Sequence, residues 1–160
     1  MKKTQKKLGN KGFSLVELIV VIAIMAVLVG VLAPTLIRNV EKSRESTDLQ
    51  TLDSIRGSVS TALSVEDVNA ALGTGYTGKI VGGSKELTKT SGSDDFNSKL
   101  KSELTADGVL DATLKSKVCK DSSIGKNTIV ISITADGKVS VYVDGVTSSN
   151  TKSKINMVAE

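Results

Sequence analysis

From Leu15 to Ala33 the chain runs through 19 residues of which 17 are apolar, Glu17 and Gly30 being the exceptions. Coiled as an α-helix at ~1.5 Å per residue, the run extends ~28 Å, close to the ~30 Å hydrocarbon thickness of a bilayer. It is apolar around its whole circumference rather than along one stripe, so it belongs in lipid or inside a large assembly. The roughly 120 residues that follow are too few to enclose such a helix. Five lysines (Lys2, Lys3, Lys6, Lys7 and Lys11) precede the run with no acid among them. They set the amino end in the cytoplasm and the remainder outside.

Composition narrows the function classes. The 160 residues have room for one ordinary domain and an accessory element. There is no histidine and a single cysteine, Cys119, which excludes an intramolecular disulfide, a histidine-based triad and a Cys/His zinc cluster. Nothing singles out a catalytic Ser/Lys pair, and neither an enzyme nor a cofactor is expected. The net charge of +4 belongs to the amino-terminal tail: without residues 1–12 there are 16 basic residues against 17 acidic ones. With no basic stripe in the body, nucleic acid is not an expected partner.

Three readings of the first segment compete. A secretory signal would be cut after Val31-Leu32-Ala33, but the next residue is Pro34, which suits a cleavage site poorly. A plain, uncleaved membrane anchor leaves Glu17 without a base inside the segment, and an acid in lipid costs ~2.5–3.5 kcal/mol on insertion scales. The third reading takes Gly12-Phe13-Ser14-Leu15-Val16-Glu17 as a unit. A lysine-rich leader ending in glycine, then phenylalanine, then an acid at the fifth position of an apolar helix resembles the prepilin signal of type IV pilins and pseudopilins. The resemblance covers residues 7–37, and Pro34 falls where many pilins also carry proline.

That resemblance implies a role for each matched residue. Residues 1–12 would be a leader, cut after Gly12 by a membrane aspartic protease, the prepilin peptidase; glycine suits an extended fit in its cleft. Phe13 would become the new amino terminus and be N-methylated. Glu17 would neutralise the Phe13 ammonium of a neighbouring helix in a staggered bundle, so that two charges costly alone become tolerable as a pair. A carboxylate so near the end of the run can also snorkel to the headgroups. Gly30 and Pro34 mark a weak point in the helix, either a kink or a stretch that unwinds. The implied product is a structural subunit, a major pilin by its acidic fifth residue, polymerised in a helical filament that serves adhesion, motility or aggregation. A pseudopilin of a type II secretion or competence DNA-uptake machine is the alternative within the class. The implied partners are further copies of the chain, the peptidase, the membrane, and an assembly platform with an ATPase motor. The precursor would sit in the cytoplasmic membrane and the product outside the cell.

Beyond Pro34 the helix is expected to turn amphipathic. Ile37, Val40, Leu49, Leu52, Ile55, Val59 and Leu63 recur at threes and fours, with Arg38, Glu41, Arg44, Asp48, Asp53 and Arg56 on the opposite face. Ser64 with Asp67 reads as a cap for a short helix over 65–72, closed by Gly73. Residues 73–93, rich in Gly, Ser and Thr, read as a surface connection with room for one short strand at Lys79-Ile80-Val81. Gly82-Gly83-Ser84-Lys85 lacks the spacing of a phosphate loop. Ser93 is expected to cap a helix over 94–104.

The last third reads as β. Ile129, Ile131 and Ile133 alternate, Ala135-Asp136-Gly137 turns, and Val139, Val141 and Val143 alternate again. Asp144-Gly145 makes a second turn, and Ile155 to Val158 offers a final strand. Cys119 is expected to be half-buried, and Asp136, Asp144 and Asn150 need no metal to explain them as turn residues. The expected fold is α+β, a long amino-terminal helix packed on a carboxy-terminal antiparallel sheet. Its parts are a leader (1–12), a transmembrane and filament-core helix (13–34), an amphipathic helix (35–72), a variable region (73–126) and the sheet (127–160).

Overall fold

The computed structural model describes residues 13–152 and 156–160; the expected leader 1–12 with Gly12, and Ile155 of the expected final strand, lie outside them. The chain divides into two compact units, one ending at Ile37 and the other running from Arg38 to Glu160. Helix α1 covers Leu15–Leu63 without a break and includes Pro34. In the first unit it stands by itself. None of its most apolar window is buried, and Leu15, Ile22 and Leu28 are all more than half exposed.

The second unit contains the rest of α1, helix α2 (Glu66–Ala70), strands β1 (Gly75–Val81) and β2 (Leu87–Ser91), helix α3 (Asp94–Ala106), a 3₁₀ turn (Val109–Asp111), helix α4 (Lys117–Lys120) and strands β3 (Thr128–Thr134), β4 (Val139–Val143) and β5 (Val158–Ala159). The five strands form one antiparallel sheet in the order β2-β1-β3-β4-β5. Ile129, Ile131 and Ile133 stand opposite Val143, Val141 and Val139 on one side and Ile80, Gly78 and Tyr76 on the other. Because side chains alternate across a strand, this register gathers one aliphatic face. Leu52, Ile55 and Val59 of α1 and Phe96, Leu100 and Leu104 of α3 belong to the same buried cluster. The result is the expected α+β architecture, with a long helix packed on an antiparallel sheet.

Several local expectations hold for the reasons given. Ser93 caps α3, its hydroxyl accepting the Phe96 N–H at 3.4 Å. The turn between β3 and β4 uses Gly137 at φ +83°. Other expectations need correction. Residues 73–93 form a hairpin, β1–β2, and β1 pairs with β3 inside the sheet. Their glycines had suggested a loop, but Gly78 instead makes room for Tyr76, whose ring lies where a β-carbon at 78 would stand. That ring sits 4.9 Å from Phe96 and its hydroxyl donates to Asn97 of α3, so the glycine accommodates an aromatic pair in an otherwise aliphatic core. Ser64 does not cap α2; its hydroxyl bonds back to the Ser60 carbonyl, and Val65 occupies the cap position with no side-chain bond.

The largest correction concerns the charged face of α1. Glu41 and Asp48 are buried, as is Glu45, whereas Ile37 and Val40 are exposed. The inward stripe is Glu41, Glu45, Asp48, Leu52, Ile55, Val59 and Ala62, stepping by fours and threes throughout. It changes chemistry along its length because its neighbours change: the upper half meets the sheet, the lower half meets loops with unpaired backbone N–H groups. Asp48 accepts the N–H of Lys115 at 2.6 Å and of Ser116 at 2.8 Å. Glu41 accepts that of Lys117, and Glu45 that of Lys152 at 2.5 Å. An acceptor that satisfies buried donors removes a desolvation penalty. Asp48→Ala should therefore leave two N–H groups unpaired and lower stability by about 2–6 kcal/mol, at ~1–3 kcal/mol for each orphaned donor, with Asp48→Asn in between. Urea unfolding of the detergent-solubilised full chain, followed by far-ultraviolet circular dichroism, measures the difference.

Candidate functional site

The segment from Phe13 to Pro34 carries the residues with the clearest functional signature. Phe13 lies just before α1 and is almost fully exposed. Ser14 begins the helical hydrogen bonding, its carbonyl accepting the Leu18 N–H at 3.2 Å. Glu17 reaches back one turn, and its Oε2 accepts the Ser14 N–H at 2.8 Å. This is the carboxylate half of a capping box: an acid at the third helical position satisfies a donor that the helix itself cannot. The spacing Ser14-x-x-Glu17 is the sequence signature of this bond. One oxygen used in this way leaves a carboxylate with capacity for further donors.

Large apolar side chains cover every side of α1 from Leu15 to Ile37 and are exposed. Transferring each of them out of water is worth roughly 1.5–3 kcal/mol, so this surface is stable only in lipid or against other apolar helices. Pro34 sits inside the helix, which stays helical around it rather than unwinding. Proline has no N–H to offer the carbonyl four residues earlier, and that residue is Gly30. One missing backbone bond thus joins the two residues, and open space surrounds the glycine.

Elsewhere the described residues offer little chemistry. No group of three or more His, Cys, Asp or Glu among them is placed to hold a metal ion. Asp136 accepts from the Thr134 hydroxyl, Asp144 lies 3.9 Å from Lys79, and Asn150 is bonded to Thr147 and Gly145, so all three are turn residues with local partners. Gly82 and Gly83 belong to the β1–β2 turn, and Lys85 pairs with Asp111 at 3.0 Å. Cys119 is fully buried rather than half-buried, which removes it from reach of a second chain. Loss of water pushes its thiol up to about 12, against a partial offset from Ser116, and the nearby charges of Asp48 and Glu45 add to the rise.

The prokaryotic N-terminal methylation motif matches residues 7–33, about a sixth of the chain. No curated protein and no solved structure matches it. The motif is the class III signal of type IV pilins. The chain therefore carries the amino-terminal signal of the type IV pilin and pseudopilin family, on a head of pilin-like α+β architecture. A membrane-anchored precursor fits both the signal and the apolar helix.

The raised pKa of Cys119 has a direct consequence: at pH 8 it remains a protonated, enclosed thiol. The folded chain should resist alkylation at that pH, with full reaction only in denaturant, as mass spectrometry would record.

Proposed function

We propose that the chain is a prepilin, and that its mature form is the repeating structural subunit of a type IV pilus. The observation that carries this reading is the methylation motif over residues 7–33, coinciding with a helix long and apolar enough to cross a membrane. Cleavage after Gly12 would create an ammonium on Phe13 and leave the whole helix on the product. The site lies on the leader side of the apolar run, so the anchor survives processing, unlike a secretory signal. Heterologous contact between copies with an unclosed rotation yields a fibre rather than a ring.

Glu17 acts twice in this scheme. Within one chain it caps the helix through the Ser14 N–H. In the bundle its negative charge faces the Phe13 ammonium of a neighbour, which sets the axial register and lets both charges tolerate an apolar setting. Gly30 and Pro34 supply the point at which the helix yields during packing. Adhesion, motility or aggregation would then belong to the exposed Ser/Thr-rich surface of the head. A class III signal implies processing by a prepilin peptidase and handling by a pilus-type assembly machinery, in general terms.

Mass spectrometry of the mature amino terminus is the first test: residues 1–12 should be absent and Phe13 should carry one methyl group. An intact Met1 would instead support an uncleaved anchor. The second test concerns assembly. Glu17→Ala should leave processing largely intact and reduce the yield of sheared filaments by electron microscopy at least tenfold. Glu17→Gln keeps an acceptor for the Ser14 N–H without the charge, so filaments at normal yield from that variant would leave capping, not charge pairing, as the role of Glu17. Long fibres against short ones in the same images separate a pilus from a secretion or uptake pseudopilus.

A further inference from the structure

Around residues 38–48 the helix sorts its charges. The acids Glu41, Glu45 and Asp48 are buried and hold loop amides, while Arg38, Lys42 and Arg44 stay exposed. The amides they hold belong to Lys115, Ser116, Lys117 and Lys152, so the same bonds bring three lysines to this level of the helix, and Lys120 follows on α4. All four lysine side chains are exposed. The one neighbouring exposed acid, Asp121, is turned onto the amides of Ser123 and Ile124 at 2.8 and 3.1 Å. Seven exposed cations therefore stand beside four carboxylates, three of them buried, in a chain whose residues after the leader are otherwise net acidic. Arg44, Lys115, Lys117, Lys120 and Asp121 line one open groove of about 540 Å³.

We infer that this cationic face docks on anionic phospholipid headgroups of the membrane that anchors the chain. The inference rests on the reading of the first half of α1 as a membrane span. Val40 is the last large apolar residue exposed on α1. At ~1.5 Å per residue, Arg44 lies ~6 Å beyond it along the axis and Asp48, with its loop, ~12 Å. Headgroups add ~5–7 Å to each side of the hydrocarbon layer, and an anionic surface acts over about a Debye length of 8–10 Å. Separate lysines spread over a face suit a lattice of single phosphates, and Arg44, whose Nη1 lies 3.4 Å from Glu41 Oε2, keeps its other guanidinium donors for a further phosphate oxygen. Burial of the acids is what makes the face cationic: turned outward, the same carboxylates would repel such a surface. The face would hold the head close to the bilayer before extraction into a fibre.

The test uses the full chain in nanodiscs of phosphatidylcholine, alone or with about one-third phosphatidylglycerol. A fluorophore sits on a cysteine introduced by Ser122→Cys, Cys119 being enclosed and unreactive, and a headgroup-labelled lipid quenches it. Elution of the chain with the discs reports insertion, so failure of the anchor is read apart from failure to dock. Quenching should be at least about threefold stronger in the anionic discs and should fall to the neutral-disc level at about 0.5 M salt, where screening is short-ranged. The combined variant Lys115→Glu, Lys117→Glu, Lys120→Glu should abolish the difference. The corresponding glutamine variant, whose far-ultraviolet spectrum checks the fold, should lose most of it. Lys138→Glu, at the β3–β4 turn beside the far end of α1, should change nothing. Equal quenching in both kinds of disc, or anionic quenching that survives neutralisation in a folded variant, would overturn the inference. Quenching that appears only at several copies per disc, whatever the lipid, would also overturn it and assign the face to a second copy.

Discussion

An apolar rod that the chain cannot cover by itself governs everything else in this protein. About twenty consecutive side chains without a polar face have two stable environments, the hydrocarbon of a bilayer and the flanks of similar rods. A subunit that moves from one to the other exchanges one apolar surrounding for another. In the proposed assembly the transfer would be nearly neutral in hydrophobic terms, and the few polar groups in the rod would set register. Glu17 is the acid among them. Its bond to the Ser14 amide keeps the carboxylate partnered before any neighbour arrives, which lowers the penalty of carrying an acid at the membrane edge.

The head solves a different problem with the same helix. Seven inward positions from Glu41 to Ala62 keep one face turned to the rest of the head. Where that face meets the sheet it is aliphatic, and where it meets loops it is carboxylate. The acids replace the tie that a disulfide would give, which a chain with one cysteine cannot form, by fastening the segments at 115–117 and 152 to the helix through backbone amides. The cost is a region in which the helix's own acids are drawn inward, leaving the cations outside.

What could be read early and what could not divides along physical lines. The hairpin of β3 and β4 was plain because period-two alternation over two runs joined by a Gly turn has few alternatives. The helix α3 was plain because Ser93 and three leucine-sized steps coincide. Strands β1 and β2 were not, because their glycines and threonines carry no strong alternation; β1 is a strand because β3 offers it a ladder and Tyr76 fills the space over Gly78. The inward acids were not legible for a similar reason. A carboxylate on a helix is usually solvated, and only the approach of two distant loops supplied the donors that justify burying these.

By itself, the sequence settled that the first helix needs lipid or company, since length, composition and the charge of the leader act locally and require no fold. It also determined the signal at residues 7–33, a linear stretch that is present without any fold. Tertiary structure alone decided the order of the strands and which face of α1 below Leu52 turns inward. The inward face depends on partners 67 to 107 residues away along the chain, and a buried donor's need for an acceptor is felt only after the chain has brought the two together.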